Sequence, residues 1–190
     1  MPPGIEFLTT ARLELRCPVE ADWPEFRAME HDPRVMATFG GVQPPAVTRA
    51  QFERMLRHWD DRGFGWWTVR DRAGRFVGRG GVRRVRLGAV EEMEVGYGIV
   101  ADAWGNGYAT EVARAGAAAA FERIGAASLC GFTVPDNAAS RHVMEKVGLA
   151  YEREIDHAGQ SHVLYRISAE RWREIARPPH RFAPRRSGRA

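Results

Sequence analysis

The chain has 190 residues, of which 44% are hydrophobic and 27% charged, and this ordinary globular composition predicts a single domain. No run approaches the ~18 uncharged apolar residues of a membrane span, and the N-terminus lacks the basic-then-apolar order of a secretion signal, so we expect no membrane association and a cytoplasmic location. Cys17 and Cys130 are far apart and the six histidines lack metal-ligand spacing, so neither a disulfide nor a metal site is predicted.

The net charge of +4 is concentrated at the C-terminus. Residues 177–190 contain five arginines and no carboxylate, so residues 1–176 carry a net charge of −1. We therefore predict one domain over residues 1–176 and a basic, Pro/Arg-rich, disordered tail over residues 177–190. Nucleic acid binding is expected only through this tail.

A strand and a helix are predicted near the N-terminus. Residues 10–16 alternate loosely between apolar and polar side chains, which favours a first strand. Asp22 before Trp23 and Pro24 is typical of a helix start, with Asp22 as the capping residue. Pro33 should end or kink that helix.

A second helix and an antiparallel hairpin follow. Thr48 and Gln51 form a capping-box pattern ahead of apolar residues at helical spacing, so an amphipathic helix should end near Gly63. From there the period changes to two, and residues 64–70 and 75–87 predict a hairpin. Gly80 and Gly81 in its second strand indicate a bulge or a close backbone approach.

The strand predicted over residues 91–100 has two different faces. One face is apolar and is assigned to the core, and it carries Met93, Val95, Tyr97 and Ile99. The other face is expected to be open, and it carries Glu92, Glu94, Gly96 and Gly98. Two carboxylates thus stand beside two positions without side chains.

The remaining elements complete a mixed α/β pattern. They are a small-residue-rich helix over residues 109–124, a buried strand over 128–134, a helix over 138–147, a hairpin of 149–155 with 162–167, and a final helical turn or two over 169–175. The order β-α-α-β-β-β-α-β-α-β-β begins with antiparallel strands and continues through helical crossovers. This order implies one mixed sheet.

A glycine-containing turn joins the strand of residues 91–100 to the following helix. With glycine at 105 and 107, backbone N–H groups stay uncovered at the positive end of the helix, which is suited to a phosphate or pyrophosphate. A nucleotide-dependent oxidoreductase would use a similar turn. However, its fingerprint needs a third glycine where Thr110 stands, and it belongs in an early βαβ unit.

Three segments together resemble the GNAT superfamily of N-acetyltransferases: Glu94–Tyr97, Trp104–Glu111 and Asn137–Leu149. The resemblance covers residues 8–172 and is greatest to the branch that acetylates the N-termini of ribosomal proteins. It implies a GNAT-like acyl-CoA N-acyltransferase fold and acetyl-CoA as co-substrate. It also implies a primary amine as acceptor, either a protein N-terminus or a small molecule, and is compatible with a homodimer.

The resemblance assigns the cofactor-binding residues by position. The turn would bind the pyrophosphate through Trp104, Gly105, Asn106, Gly107, Tyr108, Ala109 and Thr110. The backbone of Ile99 and Val100 would pair with the pantetheine arm, and Asn137, Ser140 and Met144 would contact the cofactor beyond it.

Two positions depart from the usual family pattern. Trp104 stands where arginine or glutamine usually opens the turn, a change that backbone anion binding tolerates. Met144 stands where many members have a proton-donating tyrosine. Ser140, one helical turn earlier on the same face, is the position that this branch is thought to use instead.

The chemistry requires a base, because an alkylammonium with a pKa near ~10 is mostly unreactive at neutral pH. We expect Glu94 to be that base, and Glu92 to raise its pKa by repulsion or to order a relay water. A backbone N–H near Ile99 would stabilise the oxyanion. Alternatively, Glu92 and Glu94 are two solvent-facing carboxylates without a catalytic role, and Ser140 is a helix serine that bonds a backbone carbonyl.

Cys130, His157 and His162 each have a functional and a structural interpretation. Cys130 is expected to be a small core residue rather than an acyl carrier. His157 and His162 either border the acceptor site or lie on the surface. The competing functional class is a non-catalytic acyl-CoA-binding or RNA-associated module, which would bind CoA and acetylate no amine.

Deleting residues 177–190 should leave the melting temperature and the CoA affinity nearly unchanged. The reason is that the tail has five arginines and no core-like pattern, so it should make few contacts with the domain. Thermal unfolding and CoA titration of the full and shortened chains test this. A large loss of stability would show that the tail docks.

Overall fold

The computed structural model describes residues 4–176, which form an eight-stranded mixed sheet with helices packed on it. The strands are β1 (Phe7–Thr9), β2 (Leu13–Arg16), β3 (Trp66–Asp71), β4 (Phe76–Leu87), β5 (Val90–Ile99), β6 (Ser128–Thr133), β7 (Ala150–His157) and β8 (Gln160–Ser168). The helices are α1 (Trp23–Glu30), α2 (Pro33–Met36), α3 (Pro45–Arg62), α4 (Tyr108–Ala118), α5 (Ala138–Val147) and α6 (Ala169–Ala176). A π-helical turn, Ala119–Ile124, extends α4. The predicted mixed α/β fold is confirmed.

The sheet order is β1-β2-β3-β4-β5-β6-β8-β7, and every neighbouring pair is antiparallel except β5 with β6. These two parallel strands pair at one position only, Glu94 with Cys130. Beyond it, residues 95–99 of β5 and 131–133 of β6 are not paired with each other. A gap therefore opens in the middle of the sheet.

Strand alternation and register divide the central side chains between two faces. On the first face, Arg79 of β4 stands opposite Gly98, and Arg83 stands opposite Glu94. Trp66 of β3 extends this face beside Gly81, and α1 contributes Phe26 and Glu30 to it. We call this the Glu94 face. The opposite face packs against α4.

The main hydrophobic core lies on the α4 face. Fully buried Val82, Val95 and Val112 belong to it, together with Trp67 and Leu129. Gly80 makes this packing possible, because a Cβ at that position would stand 2.6 Å from Val112 Cγ1 and 2.8 Å from the Gly96 carbonyl oxygen. The close backbone approach predicted for Gly80 is thus confirmed.

Substituting Gly80→Ala should lower the free energy of unfolding by about 1–3 kcal/mol, since the added methyl group overpacks the contact with α4. Gly98→Ala is a matched control in the neighbouring strand, because its Cβ would meet no atom closer than 3.7 Å. Urea unfolding measures both variants. Equal stability of the two would contradict this account of the contact.

The predicted start of the helix before Gly63 is wrong. Helix α3 begins at Pro45 with Pro44 as its cap, and Thr48 lies inside the first turn, where its hydroxyl donates to the Pro44 carbonyl at 3.5 Å. Proline is tolerated at a first helical position because the N–H it lacks would have no partner there. The first helix ends at Glu30, before Pro33 as predicted. Pro33 then begins the unpredicted helix α2, after an Asp32 cap that accepts the Arg34 N–H at 2.9 Å.

Asp22 precedes α1 but does not cap it with its side chain. Its buried carboxylate accepts the Val19 N–H at 3.0 Å and the Thr68 hydroxyl at 2.9 Å, and it pairs with Arg16 and Arg70. The carboxylate therefore ties α1 to β2 and β3 rather than completing a helix end.

The first predicted strand is shorter than expected, and it has an unpredicted partner. Regular pairing in this segment covers Leu13–Arg16, and an additional edge strand, Phe7–Thr9, pairs antiparallel with it. In the part of the chain that the structure describes, no helix combines the length and apolar character needed to cross a membrane.

Candidate active site

A cavity of about 1000 Å³ occupies the gap between β5 and β6. Its walls include residues from both faces of the sheet, with Glu94 and Phe132 on one side and Ser140 on α5 on the other. It also reaches the turn before α4. The predicted turn, base and hydroxyl therefore line the same cavity.

The turn has the backbone that its glycines predict. Gly105 and Gly107 have φ values of 77° and 74°, a left-handed conformation that other residues adopt only with strain. The first hydrogen bond of α4 runs from the Glu111 N–H to the Gly107 carbonyl at 3.2 Å, so the N–H groups of the preceding helical residues have no intrahelical acceptor. A Cβ at Gly105 would meet no atom within 4 Å. This open cradle fits a pyrophosphate.

The predicted turn residues line the cavity with one exception. Those that line it are Trp104, Gly105, Gly107, Tyr108, Ala109 and Thr110. Asn106 does not; its side-chain amide instead donates to the carbonyls of Ala103 and Trp104 at 3.1 and 3.3 Å. Asn106 thus closes the turn.

An ion pair that the sequence analysis missed anchors the turn. Arg12 lies 2.7 Å from the Glu111 carboxylate and donates to the Asn106 carbonyl at 2.6 Å. Burial alone would raise the pKa of Glu111, but hydrogen bonds from Thr10 and Arg12 lower it. Residues about a hundred positions apart meet here, and no local pattern reports such a contact.

At the end of β5, only one of the two residues predicted to pair with the pantetheine arm borders the cavity. The Val100 N–H donates to the Val77 carbonyl at 3.0 Å, and Val100 is not part of the cavity wall, whereas Ile99 is. The Trp104 indole donates to the Ile99 carbonyl at 2.8 Å. Val100 is thus committed to β4, and Ile99 is the member of the pair that borders the cavity.

Ser140 is positioned by two neighbours. Its backbone N–H donates to the Asn137 side-chain oxygen at 3.1 Å, which caps α5, and the Asn137 amide donates to the Thr133 hydroxyl at 2.9 Å. The Ser140 and Tyr97 hydroxyl oxygens are 3.0 Å apart, and burial raises the pKa of Tyr97. Met144, also in the cavity wall, packs over Gly131. A neutral phenol therefore supports the serine hydroxyl.

Glu94 is buried rather than open, with 5% of its surface exposed. Its carboxylate pairs with Arg83, and the Arg83 guanidinium carbon lies 4.2 Å from the centroid of the Trp66 ring. The prediction of an open face is wrong because these side chains and α1 cover it. Glu94 nevertheless forms part of the cavity wall.

Glu92 lies away from the cavity. Arg166 of β8 holds both of its carboxylate oxygens at 2.9 and 3.0 Å, and Glu92 is not among the residues that line the cavity. This double ion pair gives Glu92 a structural contact between β5 and β8. The expected relay through Glu92 has no geometric support.

Cys130 and two histidines lie on the Glu94 face near the gap. Burial, with smaller contributions from Glu94 and Glu92, raises the pKa of the Cys130 thiol to about 12, so a reactive thiolate is disfavoured. The ring centroids of His157 and His162 lie 4.9 and 5.4 Å from that of Phe132, and all three line the cavity. Both histidines therefore belong to the cavity wall, and a contact with the acceptor stays a prediction.

Trp66, Arg79 and Arg83 are among the residues of the cavity wall that were not predicted from the sequence. The sequence did contain a signal for the two arginines, because Arg79 and Arg83 stand two residues before and after Gly81 and so share one face of the strand. Pairing that strand with Glu94 would have placed both arginines on the Glu94 face. Recognising this required the antiparallel register as well as the pattern.

Comparison with known proteins extends the resemblance seen in the sequence. Residues 12–150 match the family described as acetyltransferase (GNAT) domain. The uncharacterised protein YkkB of Bacillus subtilis is 33% identical over 150 residues, covering 78% of this chain and 87% of that protein. The FsC-acetyl coenzyme A-N(2)-transacetylase of Aspergillus fumigatus is 32% identical over 189 residues, covering 90% of this chain and 80% of that protein.

Solved structures agree with this assignment. An acetyltransferase from Agrobacterium tumefaciens has a TM-score of 0.75 and 28% identity, covering 85% of this chain and 93% of that one. RimL, a ribosomal L7/L12 α-N-protein acetyltransferase solved with coenzyme A, shares the fold with a TM-score of 0.69 at 16% identity, covering 86% of this chain and 98% of that one. The chain therefore belongs to the GNAT acetyltransferase family and is an acetyl-CoA-dependent N-acetyltransferase.

Proposed function

We propose that the chain transfers an acetyl group from acetyl-CoA to a primary amine by direct attack in a ternary complex, with Glu94 as base and Ser140 as proton donor. The acceptor is a protein N-terminus or a small-molecule amine. The observation that carries the proposal is that both residues line one cavity from opposite faces of the sheet. The gap between β5 and β6 gives a thioester access to both.

The proposed steps follow from this placement. Glu94 accepts one proton from the ammonium, and the free amine attacks the thioester carbonyl. The C–N bond forms and the C–S bond breaks, while Ser140 supplies a proton to the leaving sulfur. Tyr97, with its oxygen 3.0 Å from that of Ser140, restores the serine proton, and the second proton lost by the nitrogen returns to the phenol through solvent.

Direct attack is favoured over an acyl-enzyme route by the state of Cys130. This cysteine is fully buried, and burial raises the pKa of its thiol to about 12. A thiol in that environment is a poor nucleophile near neutral pH.

An acetylation screen tests the proposed transfer to a primary amine and identifies the acceptor. Acetyl-CoA and the protein are incubated with amino acids, short peptides, polyamines and simple alkylamines, and CoA release is followed together with product mass. Acetylation of any amine above the uncatalysed rate supports the proposal. Binding of acetyl-CoA with no transfer to any of them would contradict the proposed transfer to these amines.

A further inference from the structure

The Glu94 face of the cavity contains a buried guanidinium with an unused donor. Arg79 is 5% exposed and pairs with Glu30, which is 1% exposed. Both its Nε and its Nη2 lie 2.9 Å from the same Glu30 oxygen, Oε1. The third nitrogen, Nη1, is buried and has no hydrogen-bond partner in the described residues.

A second unused donor lies beside the first. The indole N–H of Trp66 is also buried without a partner in residues 4–176. The guanidinium carbons of Arg79 and Arg83 lie 4.3 and 4.2 Å from the centroid of this same ring. Arg83 also pairs with Glu94, so the Trp66 ring contacts both the arginine that has the unused donor and the arginine that holds the proposed base.

The two donors face the glycine positions of β5. A Cβ on Gly98 would stand 3.8 Å from Arg79 Nη1, and one on Gly96 would stand 3.1 Å from Trp66 Nε1. Both glycines share the strand face of Glu94. No β5 side chain therefore separates these donors from the strand beside which the thioester must lie.

Burying an unsatisfied donor costs roughly 1–3 kcal/mol, and more for a charged group. Such groups are rare in native structures and usually indicate a missing partner. Donors require an acceptor atom, so the missing partner carries an oxygen. A second ammonium group, as in a polyamine, would meet only donors here.

The charge of the cavity points the same way. The ionisable side chains in its wall, apart from histidines and tyrosines, are six basic residues and two carboxylates, Glu30 and Glu94. Both carboxylates are already paired with arginine. The wall therefore disfavours an acceptor with several positive charges and favours one with a carbonyl or carboxylate oxygen.

We propose that Arg79 and Trp66 form an oxygen-binding subsite that selects acceptors with a carbonyl or carboxylate on the carbon next to the amine. The acceptor class is thus the α-amino acid unit, whether free or at the start of a peptide. When the amine of such an acceptor lies at Glu94, the acceptor's carbonyl oxygen is three bonds from the amine nitrogen and is directed towards the unused donors. The ring centroid of Phe39, a side chain that is 42% exposed, lies 5.3 Å from the Arg79 guanidinium carbon, so Phe39 borders this subsite.

This inference rests on the proposed function, and its first test compares acceptors. The readout is the ratio of kcat/KM for L-alaninamide to that for isopropylamine, each corrected to the unprotonated amine. In the wild type this ratio should exceed about 10. One hydrogen bond between the acceptor oxygen and a charged donor would stabilise the transition state enough to raise kcat/KM by about that factor. A ratio near 1, or faster transfer to spermidine than to L-alaninamide, would overturn the subsite.

Variants then assign the preference to the two donors. Trp66→Phe removes the N–H and keeps a ring, and Glu30→Met with Arg79→Met replaces the buried pair without leaving one charge unpaired. Each should lower the acceptor ratio, by about tenfold in the double variant. Trp172→Phe, the same change at α6 outside the cavity wall, should leave the ratio as in the wild type. An equal ratio in all variants would overturn the assignment.

A binding measurement separates this inference from the proposed function. N-acetylglycine, a product-like carboxylate, is titrated calorimetrically into the CoA-loaded protein. Weaker binding to Trp66→Phe and to the double variant supports the subsite even if no amine is acetylated, an outcome that would reject only the proposed function. Equal affinity in all variants would overturn the subsite even if transfer occurs.

The same kinetic assay distinguishes the sources of the oxygen. Faster transfer to free alanine than to L-alaninamide supports a carboxylate ligand. Faster transfer to an alanine-initiated tripeptide supports a peptide carbonyl. Either result is consistent with the subsite and narrows the acceptor to a metabolite or to a protein N-terminus.

Discussion

Glu94→Gln should lower kcat by ~10²-fold or more while the acetyl-CoA dissociation constant stays within a few-fold. Glutamine keeps the size of the side chain and an oxygen that can accept from Arg83, but it cannot take a proton. Raising the pH should partly rescue the variant, because more of the acceptor then arrives as free amine. The pH profile of kcat/KM is the measurement, and an unperturbed melting temperature excludes misfolding as the cause.

Two controls sharpen this result. Glu92→Gln changes the same residue type two positions away on the same strand, where Arg166 already holds the carboxylate, so it should lose much less activity. Ser140→Ala should show a smaller loss than Glu94→Gln and no rescue at high pH, since it removes a donor rather than a base. Unchanged activity of Glu94→Gln across the pH range would remove Glu94 as the base.

Gly107→Asp should abolish CoA binding. We expect no other single substitution proposed for this chain to lower the affinity for CoA as much. It places a carboxylate where the pyrophosphate belongs, and it strains a residue whose φ is 74°. The rise in melting temperature that CoA gives the wild type should be absent in the variant. Calorimetric titration with CoA gives the affinity directly.

Gly88→Asp separates charge from strain. Gly88 has a φ of 62°, its Cβ would meet no atom within 4 Å, and it lies in the β4–β5 hairpin away from the cavity wall. It therefore imposes similar backbone strain without approaching the ligand. Normal CoA binding in Gly88→Asp and none in Gly107→Asp would support the turn as the pyrophosphate site. Equal thermal shifts in wild type and Gly107→Asp would reject it.

Local patterns in the sequence predicted the turn and the order of the elements apart from β1 and α2. Glycines at 105 and 107 permit left-handed backbone at a helix start, and this property belongs to the residues themselves. The helices predicted to end near residues 63, 124 and 147 are each followed in the structure by a glycine with left-handed backbone: Gly63, Gly125 and Gly148. Amphipathic spacing likewise identified the buried face of α3.

Helix starts were less predictable where two signals competed. At the beginning of α3, a Thr48 capping-box pattern competed with two prolines, and the prolines prevailed because their fixed φ suits a first turn. Asp22 had the residue type of a cap, but tertiary contacts with Arg16, Thr68 and Arg70 engage its carboxylate instead. Polar side chains have several competing partners, and only the folded chain selects among them.

The sequence by itself therefore determined the fold class, the family resemblance and the identity of Glu94, Gly107 and Ser140 as candidates. The tertiary structure decided their environment. It buried Glu94 against Arg83, committed Glu92 to Arg166, and left donors of Arg79 and Trp66 without partners among residues 4–176. The physical reason is that hydrogen-bonding partners and desolvation depend on strand register and on packing between residues distant in the chain, which no local pattern encodes.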